Sequence, residues 1–466
     1  MPRRTKIVAT LGPATEDKAV IRELLNAGLN VARLNFSHGT YKQFKKIAAN
    51  IRKVEKESSE IITIMQDLQG PKIRLSPEQK ETEVKKGDII TFSTKAGQKD
   101  CIFVPNCNML SKIVKAGDRL LIEDGLIRTK ILSKRGHKIK AKVIAGGILK
   151  ACKGINIPDS KLPGSASLTP KDRKDLEFGV KKLKVDAIAV SFVETAEDII
   201  RVRKEIAKHT KKPIMIVAKI EREEALRNLE QIIDTADGVM VARGDLGIET
   251  KAETVPLTQK RIIKLARRHG KPVIIATQML QSMVEDPLPT RAEVSDAANA
   301  IFEHADAVML SNESAVGKYP VRAVETLAKI ASTIEKSIFK ETELFPSPAF
   351  DQLDDIVDES MALNACRVAD EINASAIVIM TAEGFTARTV LKHRPKTQAI
   401  IVTSNAKIAG QLNFLWGADE IIVRKEKLRS EETKNLLLKH CYLNKGEDVV
   451  LIKLSDKKRS LVVMKV

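Results

Sequence analysis

Two stretches near the middle of the chain, Ile214-Met-Ile-Val-Ala-Lys219-Ile-Glu221 and Gly238-Val-Met-Val-Ala-Arg243-Gly244-Asp245-Leu-Gly247, decide the fold. Each is a continuous apolar run that turns charged at its carboxyl end. A strand buried on both faces of a parallel sheet reads this way, without polar alternation. Carboxylates and a lysine at neighbouring tips suggest a hard-cation site beside a buried ammonium, a pocket for anionic oxygen chemistry.

Outward from these two, similar runs recur with helical stretches between them: Lys6 to Leu11, Asn30 to Leu34, Ile61 to Gln66, Asp186 to Val190, Pro272 to Ala276 and Asp306 to Leu310. With the first two, Ile214 to Ala218 and Gly238 to Ala242, they make eight β-then-α units. The pattern predicts an α/β protein built on a (β/α)8 TIM barrel, with its chemistry at the carboxyl ends of the strands. The residues at those ends are polar in nearly every unit. They are Thr10; Arg33, Asn35 and Ser37; Asp67; Ser191; Lys219 and Glu221; Arg243 and Asp245; Thr277 and Gln278; and Ser311 and Glu313.

The third and fourth runs are too far apart for a simple crossover. Residues 72–158 carry short alternating apolar runs separated by Gly and Lys, which predicts a small β-rich lid domain inserted into a barrel made of residues 1–71 and 159–343. Such a lid can close over a barrel mouth and exclude water. Beyond the Pro-containing Phe345-Pro-Ser-Pro, runs at 376–380, 399–402, 420–423, 448–453 and 461–466 predict a separate α/β domain over residues 344–466, without a catalytic cluster of its own.

Bulk properties agree. The 466 residues exceed what one core serves, and 43% hydrophobic with 30% charged residues is a globular balance. The apolar stretches are too short to span a bilayer and the amino terminus lacks a signal-peptide core, so a cytoplasmic enzyme is expected, with no membrane partner. Cys101, Cys107, Cys152, Cys366 and Cys441 form no Cys-x-x-Cys pair and read as reduced packing or surface thiols. The net charge of +19 invites a nucleic-acid reading, but aromatic residues are only 3% and the basic residues are interleaved with acids. A solvated basic surface that attracts small anions is the expectation.

Among the tips, Glu221 and Asp245 suit Mg2+ or Mn2+, which keep waters and bind phosphate or carbonyl oxygens; the alternative is a pair of salt-bridged strand ends. Lys219 is placed to stabilise an enolate or a transferring phosphoryl group, or else simply pairs with Glu221. Arg33, with Asn35, Ser37 and His38 close behind, offers a phosphate clamp. Thr277 opens a Met-rich helix start whose amino terminus suits a carboxylate. Thr290 with Glu293 three residues later reads as a capping box.

The motifs Thr5-Lys-Ile-Val-Ala-Thr-Leu-Gly-Pro-Ala-Thr, Arg33-Leu-Asn-Phe-Ser-His-Gly, Ala218-Lys-Ile-Glu, Met240-Val-Ala-Arg-Gly-Asp-Leu-Gly, Ala276-Thr-Gln-Met-Leu and Pro289-Thr-Arg-Ala-Glu-Val together resemble the pyruvate kinase family. The resemblance implies a barrel, an inserted lid and a carboxyl-terminal regulatory domain in a homotetramer. It implies transfer of the phosphoryl group of phosphoenolpyruvate to ADP, giving pyruvate and ATP. It implies that Glu221 and Asp245 hold the divalent ion, that Lys219 stabilises the transition state, and that Arg33 contacts the phosphoryl group. Gly244, Asp245 and Thr277 would bind the substrate carboxylate. Asn35, Ser37, His38, Arg74 and Lys153 fall where nucleotide or monovalent-cation contacts are expected. Another Mg2+-enolate barrel, an aldolase or lyase, would use the same tips without needing the lid or the Arg33 cluster.

Two departures from the family pattern stand out. K+-requiring members carry Asp-Thr-Lys-Gly-Pro-Glu after strand three, where this chain has Asp67-Leu68-Gln-Gly-Pro-Lys72. Leu68 lacks a hydroxyl ligand and Lys72 brings a positive charge, so K+ is expected to be dispensable, with the group Asn35, Ser37, Asp67, Leu68 and Lys72 as the cation site or its substitute. In the tail, Thr381-Ala-Glu383-Gly-Phe385-Thr386 places an acid where a sugar bisphosphate would bind, and the short Leu454-Ser-Asp-Lys-Lys-Arg-Ser lacks a Gly-rich effector loop. Weak or absent activation by fructose 1,6-bisphosphate is the expectation, with AMP or a sugar monophosphate left open.

Overall fold

The computed structural model of the chain describes residues 3–98, 100–105, 110–123, 125–160, 168–340, 356–424, 430–440, 443–455 and 459–466. Cys107, Cys441, the Phe345-Pro-Ser-Pro segment and residues 456–458 lie outside them.

Eight strands close into a barrel in which each pairs in parallel with its sequence neighbour. They are β1 (Lys6–Thr10), β2 (Val31–Asn35), β3 (Thr63–Asp67), β4 (Ala187–Val190), β5 (Met215–Ile220), β6 (Gly238–Ala242), β7 (Val273–Ala276) and β8 (Ala307–Leu310). β8 returns to β1 from Lys6↔Ala307 to Ala9↔Leu310. The expected TIM barrel is therefore the observed fold. β5 runs two residues further than expected, because its ladder with β6 continues through Lys219↔Met240 and Ile220↔Val241. Lys219 is thus a strand residue, more rigidly held than a loop lysine.

The continuous apolar runs hide a period of two. Val8, Val31, Met65, Val217, Met240 and Met309 fill the barrel interior, while the alternate positions, such as Ile7, Leu34, Ile216 and Val241, pack outward against the helices. One member of the interior cluster comes from far away in sequence: Phe414, fully buried, plugs the barrel from the carboxyl-terminal region.

The strands between Ile73 and Asn156 build separate sheets, one of them seven-stranded, over their own apolar cluster. Ile73–Arg74 pairs with Gly154–Asn156 where the chain leaves and re-enters the barrel. The last sheet contains β9 (Ala376–Met380), β10 (Ala399–Thr403), β11 (Ala418–Val423), β12 (Asp448–Lys453) and β13 (Ser460–Lys465), in the order β11-β10-β9-β12-β13, with only β13 antiparallel. Apolar clusters cover both of its faces. It is fastened to the amino-terminal ends of the barrel strands by Phe414 and by ion pairs, Arg394 to Asp306 at 2.9 Å and Lys407 to Asp186 at 2.7 Å.

Cys101, Cys152 and Cys366 are free thiols, and burial pushes the Cys366 thiol up. Among the described residues no helix is long and apolar enough to cross a membrane.

If Phe414 is a structural plug, Phe414→Ala leaves a cavity at the barrel base and lowers unfolding free energy by about 3 kcal/mol. Urea denaturation checks this, and a loss below about 1 kcal/mol would show that the plug is dispensable.

Candidate active site

The tips of β1 to β5 are joined by one chain of polar contacts. Arg33 Nη1 donates to Thr10 Oγ1 at 2.8 Å, and Arg33 Nε and Nη2 reach Asp67 Oδ2 at 2.7 and 2.6 Å. Lys219 Nζ lies 3.3 Å from Asp67 Oδ1 and 2.9 Å from Glu221 Oε1, and donates to Ser191 Oγ at 2.7 Å. Ser191 Oγ in turn donates to the carbonyl of Leu68 at 2.7 Å. Asp67 and Glu221 are each 1% exposed and Lys219 11%, so these charges are withdrawn from water and answer one another.

Burial alone would discharge these groups. Burial opposes the charge on Lys219, but Asp67 and Glu221 outweigh it and hold its pKa above the ordinary lysine value. Burial likewise opposes ionisation of Asp67, but Lys219 and Arg33 outweigh it and depress its pKa. Glu221 differs. Burial raises its pKa, Lys219 opposes that rise, and the Asp245 carboxylate adds to it.

Asp245 stands in the first turn of the short helix Arg243–Glu249, and Lys72 Nζ is 3.0 Å from its Oδ1. The loop carrying Lys72 is set by Gly70, whose φ of 68° is left-handed and whose N–H donates to Asp172 Oδ1 at 3.1 Å. Asp172 also completes the capping box with Thr169 at the head of Pro170–Phe178, so one carboxylate fixes both a helix start and the active-site loop.

His38 is kept neutral by burial and by the surrounding cations Arg74, Arg33 and Lys72. Asn35 Oδ1 accepts from the Ser37 N–H at 3.1 Å, shaping the turn after β2. Behind it opens a cavity of about 470 Å³ bordered by Phe36, Ser37, Tyr41, Lys171 and Lys174. Arg74 Nη1 donates to the Cys152 carbonyl at 3.0 Å. Lys153, expected among the nucleotide contacts, pairs with Glu123 at 2.5 Å in the inserted sheet.

Thr277 does not open a helix as expected. Thr277 and Gln278 have φ of 71° and 54°, a left-handed pair that interrupts any helix, and only the 3-10 turn Gln281–Val284 follows. Arg243 holds this strained corner, donating to the Thr277 carbonyl at 2.8 Å while paired with Asp296 at 2.7 Å. Thr277 Oγ1 accepts from the Gly244 N–H at 2.9 Å. The capping box of Thr290 and Glu293 is present, and Glu293 also accepts from the N–H and hydroxyl of Ser282, tying down that turn.

Sequence reasoning placed Thr10 and Ser191 at strand tips without giving them a task. Their signal was position alone; the task appears only in the contacts. Phe192 was missed altogether. Its φ of 56° turns its N–H onto Glu221 Oε2 at 2.6 Å.

Among the described residues no three His, Cys, Asp or Glu side chains gather as a metal cage. Two neighbouring carboxylates, Glu221 resisting ionisation mainly through burial and further through Asp245, still fit an octahedral divalent ion that completes its shell with water and phosphate oxygens.

Fold and site together define a (β/α)8 enzyme that gathers cations and carboxylates at its strand tips to handle small anionic substrates. Residues 2–324 match the family model described as pyruvate kinase, barrel domain, and residues 359–463 match pyruvate kinase, alpha/beta domain. The chain is 42% identical to a pyruvate kinase of Geobacillus stearothermophilus over 90% of its own length and 71% of that protein's. With a pyruvate kinase of Clostridium acetobutylicum it shares 38% over 96% and 95% of the two chains. A solved pyruvate kinase from Cryptosporidium parvum superposes with a TM-score of 0.90 at 31% identity, covering 99% of this chain and 96% of that one. The chain belongs to the pyruvate kinase family, whose reaction passes the phosphoryl group of phosphoenolpyruvate to ADP and yields pyruvate and ATP.

Removing the ammonium strips buried Glu221 of its close cation, while Asp67 keeps Arg33, so Lys219→Met destabilises the fold by about 3 kcal/mol near neutral pH. Burial already raises the folded pKa of Glu221 and Lys219 opposes that rise, so in the variant it lies further above the unfolded value and stability falls as pH rises through that window. Denaturation of wild type and variant at about pH 5 and about pH 8 checks this, with the larger gap expected at the higher pH.

Proposed function

We propose that Arg33 and Lys219 receive the phosphoryl group and the enolate oxygen of phosphoenolpyruvate, with Glu221 and Asp245 holding a divalent ion beside them. The observation that carries this reading is the position of the Lys219 ammonium, fixed by Asp67, Glu221 and Ser191 on a rigid strand. Phosphoryl transfer needs positioning and charge stabilisation more than covalent help, and a pre-oriented ammonium costs no reorganisation as charge develops. The ion, when bound, would supply positive charge that offsets the negative charge of the reacting phosphoryl and enolate oxygens.

The Gly244 N–H and the Thr277 hydroxyl converge, and a substrate carboxylate there takes both as donors once the hydroxyl turns from the Ala276 carbonyl. ADP enters past Asn35, Ser37 and His38, where neutral His38 and the charge of Arg74 flank its phosphates. The neighbouring cavity beside Tyr41 and Lys171 has room for its base. Lys153 would join only after the inserted sheet shifts it from Glu123. Residues 72–158 act in this reading as a lid, 1–71 with 159–343 as the catalytic domain, and 344–466 as the assembly domain. Exposed Ile356, Val357, Val462 and Val463 support homotetramer contacts through that last part.

K+ is dispensable in this reading, because the Lys72 ammonium beside Asp245 and near His38 supplies a tethered positive charge, and Leu68 offers no hydroxyl. Fructose 1,6-bisphosphate acts weakly or not at all. The Thr381 hydroxyl accepts from the Gly384 N–H, the Thr386 hydroxyl donates to the Leu454 carbonyl, and Glu383 is exposed beside them, so the loop presents charge of the wrong sign and hydroxyls already engaged.

With Mg2+, phosphoenolpyruvate and ADP, turnover in tetramethylammonium buffer stays within about twofold of that in KCl, and Lys72→Glu makes turnover depend on KCl. Wild-type activity that collapses without K+ and returns with it would sink this account. Titrating fructose 1,6-bisphosphate at low phosphoenolpyruvate changes the rate by less than about twofold, and strong activation would contradict the reading of the 381–386 loop.

A further inference from the structure

The inserted sheet carries a charge pattern that the barrel mouth does not use. Residues 127–145 hold seven Lys and Arg and no Asp or Glu. They form two paired strands, Ile127–Arg135 and Lys138–Ala145. Ile127, Ile131, Ile139, Ala141 and Val143 point into the apolar cluster of this domain. By the period of two, Arg128, Lys130, Lys138, Lys140 and Lys142 lie on the opposite face, and all five are exposed.

Like charges meet on that face. Lys142 stands directly opposite Lys130, which also opposes Arg119 on the next strand, and Lys138 opposes Arg135. Arg119 is paired with Asp159 at 2.7 Å. Among the described residues, none of Arg128, Lys130, Arg135, Lys138, Lys140 and Lys142 forms an ion pair. Like charges directly opposite one another destabilise a sheet. Lysine often guards a sheet edge against pairing, but both strands are interior, flanked by Arg119–Ile122 on one side and Ile89–Ser93 on the other. An anionic partner is what such a face lacks.

Aliphatic side chains stand among the cations. Ile89 opposes Lys142 and is 63% exposed, and Leu132 and Ile144 are exposed as well. The aromatic residues between 72 and 158 are Phe92, fully buried, and Phe103, half-buried, so no ring is offered for stacking a base. A nucleic-acid backbone would answer the cations and leave the aliphatic groups in water. An anionic leaflet takes both, its headgroup oxygens accepting from the ammonium groups while the aliphatic tips enter the boundary below.

We infer that the outer face of the inserted sheet docks on an anionic phospholipid bilayer. Among the described residues no helix is long and apolar enough to cross a membrane, so the contact is peripheral. Each basic residue close to such a leaflet adds about fivefold in affinity. None of these residues belongs to the catalytic network, so binding can be measured whether or not the strand-tip roles hold.

Cosedimentation of the full chain with phosphatidylcholine vesicles, with and without about 30% phosphatidylserine, tests the face. Binding is expected only with the anionic lipid, and raising NaCl from ~0.1 M to ~0.5 M releases it as screening shortens. Lys140→Glu with Lys142→Glu weakens binding by at least about 25-fold. The fold survives this change, because Lys142→Glu turns the repulsive pair with Lys130 into an attractive one. Lys204→Glu with Lys264→Glu, exposed on the barrel helices Ala196–Ala207 and Val255–Arg268, alters net charge equally and leaves binding within about twofold. Ile89→Ser weakens binding by about fivefold without changing its salt dependence. Four outcomes would overturn the inference: no binding to the anionic vesicles, equal losses in the two double variants, indifference to Ile89→Ser, or tighter binding to duplex RNA in the same buffer.

Discussion

A single buried ammonium sets the terms of the barrel mouth. Lys219 sits between Asp67 and Glu221, and neither carboxylate has another full positive charge as close except Arg33 on Asp67. Taking such groups out of water costs several kcal/mol for each ion, and only mutual pairing with good geometry offsets it. The arrangement therefore tolerates little movement. Because Arg33, Asp67 and Lys219 lie within strands, the register of the ladder is also the register of the chemistry.

The loops beyond the strands obey the same constraint by different means. Gly70, Phe192 and Thr277 all adopt left-handed backbone; Gly70 anchors its loop through an N–H on Asp172, Phe192 turns its N–H onto Glu221, and Thr277 sets its hydroxyl against the Gly244 N–H. For Phe192 and Thr277 this conformation is unfavourable, of order 1 kcal/mol or more apiece. It persists because Glu221 accepts the Phe192 N–H and Arg243 grips the Thr277 carbonyl. Strain of this kind holds polar atoms in fixed positions at the barrel mouth.

The barrel was legible because a strand buried on both faces must be apolar throughout, and eight such runs have few other uses. The polar residues ending each run pointed to the mouth for the same reason: nothing else would justify a lysine or glutamate there. Other features left no local trace. Phe414 is one phenyl group in the turn after the helix Ala406–Leu412, and its partners on β1 to β8 are scattered over the first 310 residues. The bridge from Lys219 through Ser191 to the Leu68 carbonyl needs the carboxyl ends of three strands placed to within a hydrogen bond, which no spacing rule encodes. Thr277-Gln-Met-Leu reads as a helix start by composition, and only tertiary contacts with Arg243 make it a strained corner. Lys72 showed that a charge had been added, whereas its partner Asp245, 173 residues away, emerged only from the fold.

The barrel has two ends, and the same strands serve both. At the mouth β5 carries Lys219; at the base its start meets the carboxyl-terminal region, where Gln411 donates to the Pro213 carbonyl at 3.1 Å. Six residues of strand span about 20 Å, beyond any direct contact between the two ends. Any influence of the base on the mouth must therefore pass through the ladder, and a rigid ladder transmits displacement only if the element moved has two stable positions. The seam is instead held at many points: besides Phe414 and the Arg394 and Lys407 ion pairs, Arg4 pairs with Asp419, Lys6 donates to the Ala418 carbonyl at 2.5 Å, and Asn413 donates to the Asn30 and Ile61 carbonyls at 2.9 and 3.0 Å. Displacing the sheet would leave these buried groups unpaired together, so the base serves the strands as a fixed platform.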